Sequence, residues 1–288
     1  MSAKRSAKPR IAIVGAGNFA SALAVSLHNA GYQIEQIIAR GPAASSLQRA
    51  RRLAHALGAS TDTSASARIR ADVVWFCVPD GAIASAAASL AQATDWENNV
   101  ALHSSGALTS DELAVLRQRG AAVASVHPLM TFVRGSRPLL AGVPFAIEGS
   151  PKAVRTARSM IRDLRGQPFA IHKDQKQAYH AWGMFASPLV TALLAVTERV
   201  AGVAGVNKKS ARKRMLPILQ QTLANYARLG APESFSGPIQ RGDAATVEKH
   251  LKTLRSIPDA REIYVALARA ALHDLPAKNR AALKKLLE

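Results

Sequence analysis

Short, continuous apolar runs punctuate the first half of the chain, and each stops at glycine, proline or a polar residue. Arg10–Val14 runs into Gly15, a run ending Ile37-Ile38-Ala39 stops at Arg40, and Ala71–Val78 stops at Pro79. Asn99–His103, Ala121–His127 ahead of Pro128, and Val143–Glu148 continue the series. Runs of this kind suit strands of a parallel sheet covered on both faces. Between them the apolar residues fall at helical spacing, as with Leu23, Leu27 and Ala30. Ala43–Leu57 reads as a helix closed by Gly58. Asp80-Gly81 opens another to about Ala93, and Ser110 with Asp111 and Glu112 starts a short one as an N-cap with an acidic first turn. The alternation of strand and helix predicts an α/β fold, a doubly wound parallel sheet.

The pattern changes after Gly149. One more helix-then-strand step is expected at Ala153–Leu164 and Pro168–His172, and from Lys176 nearly everything reads as helix: 176–203, 208–229, 244–254, 259–273 and 277–287. A Pro/Gly-rich loop, Gly230–Gly242, separates two of these. The expected organisation is a disordered basic tail (1–9), a dinucleotide-binding Rossmann domain (10–172) and an all-helical substrate and dimerisation domain (173–288).

The first strand–turn–helix carries the most specific chemistry. Gly15-x-Gly17-x-x-Ala20 lies between an apolar strand and a helix, as a dinucleotide-binding βαβ unit requires. Gly15 permits the tight turn, Gly17 admits a pyrophosphate to the backbone, and the helix N-terminus offers free N–H groups to the anion. The predicted cradle is Gly15, Ala16, Gly17, Asn18 and Phe19. At the end of the second strand Arg40 stands where an acid would hold the ribose of NAD; an arginine suits the 2′-phosphate of NADP. Val78, Pro79, Asp80 and Ser104, at later strand ends, complete the predicted cofactor set.

Ligands of open α/β sheets bind beyond the carboxyl ends of the strands. His103-Ser104-Ser105-Gly106 and His127-Pro128 stand at two such ends. A histidine there moves a proton on a carbonyl or imine near neutral pH, and a serine hydrogen-bonds the same group. Lys176 and His180 share a helix face at i and i+4, where a lysine aimed into a cleft stabilises developing negative charge. The candidate catalytic residues are His127, Lys176, His180 and Ser105. Tyr179 and Trp182 read as core or interface, Arg241 as a possible carboxylate clamp, and Asp243 as a helix N-cap.

Composition narrows the partners. The net charge of +19 comes with only 5% aromatic residues, so the stacking platforms of a nucleic-acid surface are missing and the charge reads as solvated helix faces. Charge of this sign still draws anionic ligands such as carboxylates over long range. Cys77 is the only cysteine, which excludes an intrachain disulfide and a cysteine-built metal site; no metal is expected. No run approaches the roughly 20 apolar residues of a membrane span, and the N-terminus lacks the apolar core of a signal peptide. These features predict a cytoplasmic protein away from membranes.

Together, Val14-Gly-Ala-Gly-Asn18, Val78-Pro-Asp80, His103-Ser-Ser-Gly-Ala-Leu108, Ser125-Val-His-Pro-Leu-Met-Thr-Phe132, Tyr179-His180 and Gly237-Pro-Ile-x-Arg-Gly-Asp243 resemble a widespread bacterial family of Rossmann-like proteins with a C-terminal helical domain of unknown function. The resemblance runs from about Arg10 to about Leu272 and implies an NADP-dependent oxidoreductase. More distantly the layout is similar to pyrroline-5-carboxylate reductase, ketopantoate reductase and the β-hydroxyacid dehydrogenases. That likeness implies a helical domain like the C-terminal domain of 6-phosphogluconate dehydrogenase, and a homodimer. In the last two families a lysine and an asparagine one turn apart act at the substrate; Lys176 matches the lysine, and His180 stands in the asparagine place. His127-Pro128 is similar to the His-Pro of prephenate dehydrogenases. Pro188 departs from the Ser-Asn expected after Ser187. The function expected is hydride transfer between NADP(H) and a small carbonyl, imine or hydroxy acid; the alternative is a catalytically silent NADP-binding sensor or scaffold.

Overall fold

In a computed structural model of the chain, residues 8–39, 41, 44–136 and 138–288 are described. Arg40, Ala43 and residues 1–7 of the expected tail lie outside them. The chain divides into two compact units, Met1–Ser187 and Pro188–Glu288.

The first unit begins β1 (Ile11–Val14), α1 (Asn18–Asn29), β2 (Ile34–Ala39), α2 (Ala44–Leu57), β3 (Ser60–Thr63), β4 (Val73–Phe76) and α3 (Ile83–Leu90). It continues with β5 (Val100–His103), α4 (Ala114–Arg117), β6 (Ala122–Pro128), β7 (Pro144–Gly149), α5 (Pro151–Asp163), β8 (Gln167–Ala170) and α6 (Lys176–Ala186). The eight strands form one sheet in the order β3-β2-β1-β4-β5-β6-β7-β8. β1 and β4 are neighbours although β2 and β3 lie between them in sequence, so the winding reverses there, with Val14 beside Phe76. Each strand near this switch is buried on both faces. Ile11 and Ile13 join one core with Leu23 and Leu27 of α1, while Ala12 and Val14 join another with Ile83 and Leu90 of α3.

Several elements differ from the sequence expectation. β3 escaped prediction because its residues, Ser60-Thr-Asp-Thr63, are polar and half-buried at the sheet edge. Its support comes from β2, where buried Gln36 donates to Asp62 at 2.9 Å. The sheet is not wholly parallel: β7 runs antiparallel to β6. The connection between them, residues 129–143, contains no helix among the described residues, as an antiparallel pair needs no crossover helix. Ser110 does not cap the short helix. Thr109 accepts from Asp111 N instead, while Ser110 turns inward to Glu148. Cys77 lies just beyond β4 and is half-buried.

The predicted helix 176–203 is two helices. α6 ends at Ser187, whose φ of −137° and ψ of −70° are not helical, and α7 (Pro188–Val203) starts anew. Proline cannot donate its N–H and opens a helix well. α6 therefore falls in the first unit, and the division between units follows Ser187, beyond the boundary expected at residue 172. Lys173–Val203 contains one 18-residue window apolar enough to cross a membrane by composition, with mean hydropathy 1.3. Its start is nevertheless committed to the sheet unit, where Lys176 and Tyr179 are buried.

The second unit continues with α8 (Lys208–Leu229), α9 (Ala231–Ser234), α10 (Pro238–Arg241), α11 (Ala244–Thr253), α12 (Pro258–Asp274) and α13 (Arg280–Leu287). Its core is Val247 and Leu251 of α11, Ala268 and Leu272 of α12, and Leu283 and Leu287 of α13. Asp243 caps α11 by accepting from Thr246 N at 3.0 Å, as its sequence position predicts. α7 buries no residue and α8 only Ala211, so both helices present apolar side chains such as Leu193, Ile218 and Leu223 outward.

Two glycines hold the sheet unit to its geometry. A Cβ on Gly15 (φ +111°) would stand 2.4 Å from Cys77 O, and one on Gly149 (φ +143°) 2.4 Å from Val123 O. Gly15→Ala and Gly149→Ala are each expected to cost roughly 2–5 kcal/mol in urea unfolding, from backbone strain plus the clash. Gly17→Ala, whose Cβ would meet nothing within 4 Å, should cost under about 1 kcal/mol.

Candidate functional site

The crevice at the sheet's switch point is built by backbone. Gly15 N–H donates to Ile38 O at 2.8 Å, carrying the β1–β2 pairing one residue past β1, and its φ of +111° lets the chain turn there. Gly17 is the N-cap of α1, no side chain caps it, and the space beyond its Cα is open. The N–H groups of Asn18, Phe19 and Ala20 lie in the first turn of α1, where a helix supplies no carbonyl partners. A first turn of this kind can receive an anion, which makes it a candidate cradle. The Asn18 and Phe19 side chains have another task. Asn18 Nδ2 donates to Phe132 O at 3.1 Å, and the Phe19 ring packs edge-on to Phe132 at 5.0 Å. They hold the β6–β7 connection beside the cradle.

Beyond β4, Val78 is half-buried while Pro79 and Asp80 are exposed. Asp80 Oδ2 accepts from Ser105 Oγ at 2.8 Å. The same hydroxyl accepts from Leu108 N at 2.9 Å and Ala107 N at 3.2 Å, so Ser105 locks the turn after β5. Ser104 Oγ accepts from Trp75 Nε1 at 2.7 Å. His103 is spent on structure. Its Nδ1 accepts from Ser105 N at 3.1 Å and its Nε2 donates to Thr109 O at 2.9 Å, which fixes the tautomer. Burial, with the charge of Lys176 adding to it, lowers its pKa to about 4 and keeps it neutral.

α6 brings three residues to this turn at i, i+3 and i+4, one helix face. Lys176 is 0% exposed. Its Nζ donates to Ser125 Oγ at 2.7 Å and to Ser105 O at 3.1 Å, and Ser125 Oγ also donates to Ser105 O at 3.1 Å. Burial lowers the ammonium to about 8, against the pull of Glu148 and then Asp80 toward the charged form. Glu148 stands opposite Ser125 in the β6–β7 register. Its carboxylate accepts from Ser110 N at 2.6 Å and Ser110 Oγ at 2.9 Å, so this buried charge is fully hydrogen-bonded.

The second member of that face, Tyr179, meets His127 Nδ1 through its hydroxyl at 2.8 Å. The third, His180, lies with its ring centroid 6.5 Å from that of His127. Gly106 separates the two imidazoles: a Cβ there would stand 2.8 Å from His180 Cδ2 and 2.9 Å from His127 Nε2. Both histidines are half-buried, and His127 Nε2 has no hydrogen-bond partner among the described residues. Burial first, and then the positive charge of Lys176, lowers His127 to about 4.

Asp80, Ser104, Ser105, His127, Lys176 and His180, expected from sequence as site residues, thus lie in one cluster of the sheet unit. Arg241 is exposed in α10 of the other unit. Sequence reading missed the parts played by Gly106, Ser125, Glu148 and Tyr179. A polar residue inside an otherwise apolar strand, as at Ser125 and Glu148, was the available signal. Tyr179 had only its i+3 spacing from Lys176.

The reversed winding at β1 and β4, with a glycine turn over the carboxyl ends, defines a Rossmann-like α/β protein. Residues 1–128 match the Rossmann-like domain, and residues 143–271 match a domain of unknown function, DUF2520; the chain joins these two domains. No curated protein matches it. Among solved structures, BF3122 from Bacteroides fragilis, provisionally assigned as an NADP oxidoreductase, is similar with TM-score 0.76 at 22% identity, over 91% of this chain and 97% of that one. Pyrroline-5-carboxylate reductase from Coxiella burnetii is similar with TM-score 0.60 at 16% identity, over 97% and 99%. A reductive aminase from Aspergillus terreus, in complex with NADPH and ethyl-5-oxohexanoate, is similar with TM-score 0.65 at 14% identity, over 97% and 99%. At these identities the likeness is one of fold.

Two outcomes test the electrostatics. Ser125→Ala leaves the Lys176 ammonium with one acceptor and should cost about 1–3 kcal/mol in denaturant unfolding. Between about pH 6.5 and 4, His127 is neutral when folded but takes a proton when unfolded. The unfolded state then binds more protons, so this contribution to stability falls as pH falls and levels off below the folded pKa. His127→Gln should therefore show a shallower loss of urea midpoint between neutral pH and pH about 4.5 than wild type. An equal slope would show that His127 titrates normally.

Proposed function

We propose that this protein is an NADP(H)-dependent oxidoreductase acting on a small carbonyl, imine or hydroxy acid that carries a carboxylate. The observation that carries this reading is the convergence of His127 and His180 on Gly106, beside a crevice whose glycine turn suits a pyrophosphate. The cradle fits the cofactor because Gly17 leaves open the volume that any Cβ would occupy. Gly15, Ala16, Gly17 and the first N–H groups of α1 would hold the pyrophosphate. Val78, Pro79, Asp80 and Ser104 would flank the nicotinamide ribose. Arg40, at the end of β2 in sequence, supplies the charge for a 2′-phosphate. The reductive aminase that shares this fold holds NADPH, which agrees with that preference.

A bound nicotinamide supplies or takes a hydride. The protein's part is to hold the substrate and the proton. His127 presents Nε2 to the reacting oxygen or nitrogen, and His180 orients the substrate from the other side of Gly106. A neutral imidazole is a competent hydrogen-bond donor to developing negative charge, as His127 would be near neutral pH. Lys176 acts without touching substrate: its charge adds to the field, and its hydrogen bonds hold the Ser105 carbonyl and thus the turn. Ser105 shapes the same turn through Asp80. The Lys176 ammonium near His127 suits a substrate with a carboxylate.

The outward apolar residues of α6, α7 and α8, such as Phe185, Leu193 and Ile218, suit burial against a second copy of the chain. Sedimentation should show a homodimer; a monomer at micromolar concentration would remove that assembly.

Calorimetry should give tighter binding of NADPH than of NADH, and Gly17→Val should abolish it while leaving the fold intact. With a panel of keto acids and cyclic imines, wild type should consume NADPH absorbance. His127→Gln should lower kcat by about 10²–10⁴. Tight NADPH binding without turnover on any compound would leave a nucleotide sensor, and no binding would overturn the cofactor assignment.

A further inference from the structure

The three histidines around the turn after β5 differ in how their nitrogens are used. His103 has both engaged by backbone, and no described residue hydrogen-bonds the ring of His180. His127 alone has one nitrogen tied to a side chain, Tyr179 Oη at 2.8 Å from Nδ1, and the other, Nε2, beside Gly106 without a partner among the described residues. The rings of His127 and Tyr179 stand nearly perpendicular, 86° apart with centroids at 5.5 Å, which brings the phenol hydroxyl to the imidazole edge.

That contact can form with the proton on either atom. If Nδ1 carried it, the phenol would have to donate to the His127 carbonyl, 3.4 Å away, at the limit of a useful hydrogen bond. With the proton on the phenol, the hydroxyl donates to Nδ1 over 2.8 Å, a good length, and no weak bond is needed. Two further facts are consistent with the phenol as donor. Burial holds the phenol well above its ordinary pKa, so it keeps its proton. The ring of Tyr179 is packed against Phe169 and Trp182, which fixes where its hydroxyl points.

We infer that Tyr179 is a positioning residue that holds His127 as the Nε2–H tautomer, so that the ring presents a hydrogen-bond donor, not a lone pair, at its free edge beside Gly106. The ligand atom met there is then an acceptor: a carbonyl, alkoxide or carboxylate oxygen, or an imine nitrogen with its lone pair free. A fully protonated iminium, which has no lone pair, would find no partner in His127. Which bond the donor assists rests on the oxidoreductase reading; the tautomer does not.

The test is nitrogen NMR of the full-length protein carrying ¹⁵N-labelled histidine near neutral pH, with His127→Gln identifying the His127 signals. The expected result is a pyridine-type Nδ1 and a pyrrole-type Nε2 for His127, the pattern also expected of His103, which serves as internal reference. In Tyr179→Phe the two His127 nitrogens should move toward each other as the tautomers mix, while those of His103 stay in place. A pyrrole-type Nδ1 in wild type, or already mixed nitrogens there, overturns the inference. So does an unchanged His127 pattern in folded Tyr179→Phe. Should that variant fail to fold, the wild-type spectrum decides alone. If NADPH turnover is found, Tyr179→Phe should lower kcat at least tenfold and leave NADPH affinity within twofold; unchanged kcat overturns the positioning role. If wild type turns over nothing, the enzyme reading fails while the spectrum still reads the tautomer.

Discussion

The buried ammonium of Lys176 is the constraint on which the site depends. A fully buried charge is tolerated only when hydrogen-bonded and balanced. Here the balance comes from three different parts of the chain. Ser125 of β6 and the Ser105 carbonyl after β5 accept from Nζ, and Glu148 of β7 lies opposite Ser125 as the nearby anion. Satisfying Lys176 therefore fastens the first turn of α6 to the ends of two strands. Once the helix is fastened there, its 3.6-residue period delivers Tyr179 and His180 to the same turn. Their distance from His127 follows from where the lysine is anchored.

The same arrangement sets the electrostatics. Burial, with the charge of Lys176 adding to it, keeps the imidazole of His127 neutral well below pH 6.5. The imidazole is thus kept uncharged beside a buried ammonium. The glycine positions have a matching division of labour. Gly15 and Gly106 are required by atoms the fold already places, a carbonyl in one case and two imidazoles in the other, while Gly17 faces open space. Two are needed for packing, and one for access.

The strands, the glycine turn and most helices were legible in sequence because their signals are local. β1 and β4 read as strands because every residue is apolar, and they are so because helices cover both faces. Ser104, Ser105 and His127 were legible as chemistry because polar groups at strand ends stand out, and Lys176 and His180 because their i, i+4 spacing puts them on one helix face. What could not be read is how each is used. Ser105 turned out to be committed to Asp80 and two backbone N–H groups, and His103 to Thr109 and Ser105. β3 was invisible because an edge strand with polar residues carries no alternation. The antiparallel β7 was invisible because a strand has the same local pattern in either direction.

By itself the sequence determined the α/β class, the phosphate-sized turn after β1 and the helical second half, since periodicity and glycine placement act within a few residues. The pairings that make the site were decided only by the tertiary structure. Lys176 and Ser125 lie 51 residues apart, His127 and Tyr179 lie 52 apart, and Ser110 and Glu148 lie 38 apart. Which of these meet depends on strand order, register and the break at Ser187–Pro188. A buried polar group must find a partner, but only the packed fold decides which one is within reach.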